Sequence, residues 1–285
     1  MAVADFVRSA RESFTVGWKI ESNWTDPVLF ATYRIVQPLA SLLIVAFIVI
    51  IGSSTLGPGL PKAYLARLIV SNAFFVYVAQ VMMTMGWLVH TDRSRYEVLK
   101  NIYISPGTLH PYLVGRGLVS VLNATISVLV TLLVSVLLFN GLLNLGIPLD
   151  LVGVNLFMLV PAVVLGIASL LAIGYILCAV NIVSHRLEFI LGESVSGIFF
   201  LLGGVVFPPS ALPGWVQPLS AALPVTHFLG AVRDSFFGTE LNTYLLDLGY
   251  LALATVATVV VGVLVFRLAE FRARKLGLFD RKSEY

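Results

Sequence analysis

The sequence predicts an all-α, polytopic membrane protein with about six transmembrane helices and both ends in the cytoplasm. Three observations carry that reading: a composition too apolar for a water-soluble fold, six long apolar runs, and an uneven distribution of Lys and Arg. Of 285 residues, 58% are apolar and 12% charged, where a soluble domain carries roughly a quarter charged residues. Lipid can cover so much apolar surface; water cannot. The net charge of +3 does not indicate a nucleic-acid partner, because the basic residues lie in short flanks between the apolar runs.

The first segment, residues 1–34, is expected to be cytoplasmic. It carries Arg8, Arg11, Lys19 and Arg34, so it does not read as a cleavable signal peptide. Phe6, Ala10, Phe14 and Trp18 recur every four residues, the pattern of an amphipathic helix at the membrane interface. Asp26-Pro27 then supplies a cap and a first-turn proline before the first span.

The transmembrane domain covers residues 35–268. Its predicted spans are Ile35–Leu56, Leu68–Val89, Gly117–Phe139, Leu151–Ala179, Phe189–Phe207 and Tyr244–Leu268. They are continuously apolar rather than alternating, which selects helices over a barrel. Pro161 gives the long fourth span a cause for a bend. With the N-terminus inside, the inner segments hold fifteen Lys and Arg, and the outer ones only Lys62, Arg67 and Arg233. That asymmetry fixes the orientation. Residues 269–285 form a basic inner tail.

Between the fifth and sixth spans the chain reads FPPSALPGWVQPLSAALPV, with prolines at 208, 209, 213, 218 and 224. A continuous helix is excluded, since an interior proline costs about 3 kcal/mol or more. The segment stays apolar, so it predicts a re-entrant outer hairpin over residues 208–238. Short helices are expected near Leu212–Leu223 and Val225–Phe237. Phe207, Pro208, Pro213, Trp215, Pro224 and His227 are candidates for an outer gate.

Polar residues inside the spans are candidates for a substrate path. The third span has Ser120, Asn123, Ser127, Thr131 and Ser135 close to a four-residue repeat, and the second has Asn72, Gln80 and Thr84 among Phe75, Met82 and Met83. Such residues serve equally as contacts between helices, worth about 0.6 kcal/mol each, so Asn72, Gln80, Thr84, Asn123, Ser127 and Thr131 carry both readings. Glu188, Glu193 and Asp247 read as interfacial charges, with Glu193 about one turn into its span. Gly192, Ser196, Gly197, Gly203 and Gly204 give the fifth span a small-residue face for close helix approach. Cys178, the single cysteine, rules out an intrachain disulfide.

The inner loop 90–116 contains a short helical pattern from Arg93 to Ile104. Tyr96, Leu99 and Tyr103 share one face, and Arg93, Arg95, Glu97 and Lys100 surround them. A stripe of this kind suits docking into a partner's groove.

Two stretches resemble the permeases of type-2 ABC exporters. The first is residues 204–238, preceded by Gly203. It has a Gly-rich helix end, Phe207-Pro208, Leu212-Pro213-x-Trp215, then Pro224, Arg233 and Gly238. The second is residues 92–116, with Ser105-Pro106 and the Tyr112-Leu113-x-Gly115-Arg116 entry to the next span. It departs from the family where many members carry Arg-Gly-Thr-Leu-Glu and this chain has Arg95-Tyr96-Glu97. The resemblance implies an exporter of amphipathic, lipid-like, drug or glycan cargo in the cell membrane of a prokaryote. It also implies a second permease, identical or homologous, and two copies of a cytoplasmic cassette ATPase that bind ATP and Mg and press on the inner loop. This chain itself would bind no cofactor. In keeping with that, the sequence contains no G-x-x-x-x-G-K-[ST] run.

The alternatives are a secondary carrier or channel, an intramembrane hydrolase, and a non-transporting scaffold. The first lacks the intramembrane acids and histidines of ion coupling. The second lacks G-x-S-x-G and H-E-x-x-H motifs.

Overall fold

The computed structural model describes residues 3–23, 26, 36, 40, 43–44, 61–95, 109–142, 144, 146–184, 187, 190–238 and 240–277. The described residues are predominantly helical, without strands. In chain order the α-helices are α1 (Val3–Asn23), α2 (Lys62–His90), α3 (Leu109–Val136), α4 (Leu156–Val183), α5 (Leu191–Leu202), α6 (Gln217–Ala222), α7 (Pro224–Phe237) and α8 (Leu241–Leu276). A π-helical turn, Thr91–Arg95, prolongs α2, and another, Leu137–Leu142, prolongs α3. Four of these helical stretches are long and apolar enough to cross a membrane: Lys62–Arg93, Leu109–Gly141, Leu156–Val183 and Leu241–Leu276. The predicted first span, Ile35–Leu56, falls almost wholly outside the described residues.

Helix ends follow local chemistry. The α2 helix starts directly after Pro61, and Pro111 sits in the first turn of α3, where a missing N–H costs nothing. Asn155 caps α4 by accepting the Phe157 amide at 3.1 Å. Pro161 lies inside α4, where it removes one backbone hydrogen bond.

The fifth predicted span is shorter than the apolar run suggested. The α5 helix has 12 residues, about 18 Å at 1.5 Å per residue, against a hydrocarbon core near 30 Å. Gly203 and Gly204 end it, and Gly204 has φ +76°, a conformation that glycine adopts without steric cost.

Packing centres on α2, which contacts α3, α4, α5 and α7. It buries Phe74, Tyr77, Val78, Val81, Met82 and Met85. Asn181 donates to Gly86 O at 2.6 Å and the Cys178 thiol to Met85 O at 3.2 Å, so α4 is pinned to α2 through two backbone carbonyls. On the other side of α4, α8 makes the most extensive helix pairing of the bundle. The α1 helix lies along α3, and its buried positions are Ala10 and Gly17, the second outside the expected Phe6-Ala10-Phe14-Trp18 stripe. A Cβ on Gly115 would stand 2.4 Å from Ala10 O, so glycine allows this contact.

The proline-rich hairpin takes the broken form that its prolines require. A 3-10 turn, Pro209–Ala211, precedes α6 and α7, and Pro209, Pro218 and Pro224 all sit in first turns. Carbonyls left without helical partners are met by side chains. Gln217 donates to Leu212 O at 2.9 Å, Ser220 to Leu202 O at 2.6 Å, and Thr226 to Ser220 O at 2.7 Å. The α6 helix starts five residues later than the sequence suggested, at Gln217 rather than Leu212, because Pro213 opens a separate turn with Val216 N donating to Pro213 O.

Candidate functional site

A cavity of about 600 Å3 opens between α1, α2, α3 and α5. The α2 wall contributes Phe75, Ala79, Gln80, Met83 and Thr84, which share one helix face at spacings of four and five. The α5 wall contributes Glu193, Ser196, Gly197 and Phe200, again one face. Asn123 of α3 and Glu21 of α1 complete it. The wall is thus two-sided in character: Phe75, Met83 and Phe200 are apolar, while the remaining functional groups are amides, hydroxyls and carboxylates.

Gln80 donates from Nε2 to Ser127 Oγ at 2.9 Å, and its Oε1 is buried without a hydrogen-bond partner. Asn123, 2% exposed, donates from Nδ2 to the Glu21 carboxylate, and its Oδ1 is likewise buried and unpaired. Both carbonyl oxygens are therefore unpaired and enclosed by protein behind the cavity lining.

Of the six path candidates, Gln80, Thr84 and Asn123 line this cavity. Ser127 stands behind it as the acceptor for Gln80, and Thr131 is fully buried and donates to Ser127 O at 2.6 Å. Asn72, about two turns from Gln80 along α2, is half-buried and is not part of the wall. Ser120 and Ser135 donate into their own helix. Much of the polar stripe on α3 is thus internal hydrogen bonding, and Asn123 is the member that meets the cavity. Glu21, Glu193, Ser196 and Phe200 were not among the path candidates. Glu21 follows Ala10 and Gly17 on the face of α1 that packs along α3, a face that only the structure reveals.

The gate candidates separate into two groups. Phe207, Pro208, Pro213 and Trp215 are exposed, with Trp215 at 78%. Pro224 is buried at the start of α7, and His227 faces α8. The His227 ring bonds Asp247 Oδ1 at 2.9 Å and Ala221 O at 2.8 Å, and stacks on Tyr250 with centroids 5.2 Å apart. The Asp247 carboxylate raises the His227 pKa above its ordinary value, against the opposing effect of burial. Arg233 ties the hairpin to α5 and α2 by donating to Gly204 O at 2.9 Å and Ser71 Oγ at 3.4 Å.

At the opposite end of α2, Asp92 is completely buried. It accepts from Tyr112 at 2.7 Å and faces Arg116 at 3.9 Å. Arg93, grouped by sequence with the docking stripe, is 6% exposed and donates to Ile182 O at 3.1 Å. It holds α4 to the end of α2. Arg95 continues the same helical turn. Tyr96, Glu97, Leu99, Lys100 and Tyr103 lie outside the described residues.

Long apolar helices, with a buried charged knot at one end of α2 and a proline-broken hairpin at the other, fit a multi-pass membrane protein. The family model for the ABC-2 type transporter matches residues 16–237. The chain belongs to that family. Among curated proteins, none matches the chain.

Proposed function

We propose that the chain is the membrane permease subunit of an ATP-driven exporter, energised by a separate cassette ATPase and completed by a second permease, in the cell membrane of a prokaryote. Family membership supports the permease role. The observation that carries the transport reading is the half-apolar, half-polar cavity that gathers Gln80, Thr84 and Asn123 between four helices. A cavity of about 600 Å3 falls within the range of small-molecule sites, roughly 300–1,000 Å3, and its mixed lining suits an amphipathic cargo.

The second permease would close the open side of the cavity. Gly197 lines it, and a Cβ built there would meet nothing within 4 Å. The inner loop after Arg95 would receive the ATPase, with Tyr96, Leu99 and Tyr103 as anchors. The Asp92, Arg93, Tyr112 and Arg116 knot would make the base of that loop stiff, so that a push on it moves α2, α3 and α4 together.

ATP turnover tests this reading. The purified chain should not hydrolyse ATP. The same chain assembled with a cassette ATPase should support turnover that responds to cargo. Robust hydrolysis by the pure chain overturns the assignment.

A further inference from the structure

We propose that a second pocket, under the proline-broken hairpin, binds a zwitterionic headgroup that joins a phosphodiester to a primary ammonium. Arg67 and Arg233 take the phosphate, and Asp247 takes the ammonium. The site lies apart from the transport cavity and does not rest on the export reading.

The pocket holds about 300 Å3, the lower end of the range of small-molecule sites, roughly 300–1,000 Å3. It sits at the end of the bundle that the Lys and Arg distribution places outside. The α2 helix contributes Arg67 and Ser71, α7 contributes Gly230, Arg233 and Asp234, and α8 contributes Asp247. Within α2 and α7 these residues recur at helical spacing, on one face of each helix. Among the described lining residues two cations, Arg67 and Arg233, meet two anions, Asp234 and Asp247. Arg67, Asp234 and Asp247 all act electrostatically on Arg233, so the four charges share one field.

Part of this charge is committed to the fold and part is not. Both side-chain hydrogen bonds of Arg233 leave from Nη1, to Gly204 O at 2.9 Å and Ser71 Oγ at 3.4 Å. Its Nε and Nη2 have no acceptor among the described residues, and neither is an enclosed atom. Arg67 is exposed, with its guanidinium 6.0 Å from the centre of the Phe237 ring and no side-chain hydrogen bond among the described residues. Asp247 gives Oδ1 to the His227 ring. Its Oδ2 accepts nothing among the described residues and lies over Gly230, where a Cβ would stand 2.6 Å from it. The Asp247 side chain keeps 30% of its surface exposed. Uncommitted donors on α2 and α7 therefore face an uncommitted acceptor on α8.

An anion would satisfy the guanidinium groups and be repelled by the carboxylates, and a simple cation would do the reverse. A zwitterion meets both, since Arg binds phosphate through its planar fork and a primary ammonium donates to a carboxylate. A quaternary ammonium has no N–H to give Asp247. Leu245 and Leu246, which precede Asp247 on α8, are exposed, so a lipid whose headgroup enters the pocket finds apolar helix surface for its acyl chains. An ethanolamine lipid and soluble glycerophosphoethanolamine share the chemistry.

Native mass spectrometry of the purified chain in detergent tests the site without ATPase or ATP. The chain is titrated with phosphatidylethanolamine, phosphatidylcholine or phosphatidylglycerol of equal chain length. Phosphatidylethanolamine should bind about tenfold more tightly than either, the scale of one charge-assisted hydrogen bond. Asp247→Asn keeps an acceptor for His227 but loses the anion, and should bring the ethanolamine and choline lipids level. Arg67→Gln should weaken both of these lipids by about two- to fivefold, the scale of an exposed ion pair. Both variants should elute as the wild type does on size exclusion. Equal binding of the three lipids, tighter binding of phosphatidylglycerol, an ethanolamine preference unchanged in Asp247→Asn, or affinities unchanged in Arg67→Gln overturns the proposal. If the ethanolamine lipid is preferred, excess soluble glycerophosphoethanolamine decides the source. Displacement of the lipid assigns the site to the headgroup alone, and retention assigns it to the whole lipid.

Discussion

Gly86 of α2 and Gly192 of α5 meet backbone to backbone: a Cβ on Gly86 would stand 2.9 Å from Gly192 Cα, and one on Gly192 would stand 2.8 Å from Met82 O. The glycine of the expected small-residue face is used inside the chain, where it brings α2 and α5, two walls of the cavity, into contact. Replacing Gly192 with Ala forces the two backbones apart, at about 1–3 kcal/mol of overpacking, and Val should cost more. Thermal unfolding in detergent should show the order wild type, Gly192→Ala, Gly192→Val. Equal midpoints for all three would mean that the helices do not touch as described.

The knot at the end of α2 predicts a graded response. Asp92→Asn leaves the buried Arg116 without its anionic partner, and removing one member of a buried pair costs about 3–5 kcal/mol. Tyr112→Phe removes one hydrogen bond to a carboxylate, about 1.5–3 kcal/mol. Denaturant midpoints should rank the two variants in that order below the wild type. A wild-type midpoint for Asp92→Asn would contradict the burial of this carboxylate.

His227 makes the outer hairpin pH-dependent. Its pKa in the folded protein is raised, mainly by the hydrogen bond to Asp247, above the ordinary value of 6.5. The charged ring donates from both nitrogens, to Asp247 and Ala221. Stabilisation from this contact is therefore complete below pH 6.5 and is lost as pH rises through the raised folded value. The melting temperature of the wild type should exceed that of His227→Gln most in mild acid, and the difference should shrink as the solution becomes alkaline. A difference that grows with pH would contradict the assigned sign.

Much of this architecture was legible in the sequence because lipid imposes long apolar runs and proline forbids a continuous hairpin helix. The ends of the spans were less so. The α5 helix stops at Gly203 although the apolar run continues to Phe207, since hydropathy does not register a glycine that turns the chain. The cavity was half legible. Gln80, Thr84 and Asn123 stood out as polar groups inside spans, while Glu21 belongs to a helix that looked wholly interfacial. Nothing in its local sequence shows that α1 lies along α3. Arg93 illustrates the reverse error: it sat among exposed-looking charges, yet the helical turn Thr91–Arg95 carries it into the protein against Ile182 O.

The central claim is that an ATPase drives this permease through the inner loop, and co-purification paired with export tests it most directly. Leu99→Asp and Tyr103→Asp would each place a carboxylate in the proposed groove, where an unpaired buried charge costs several kcal/mol. The spans are untouched, so membrane insertion should persist. Both variants should reach the membrane in normal amounts and lose the bound ATPase and export together. Variants that retain the ATPase and export at the wild-type rate would contradict it.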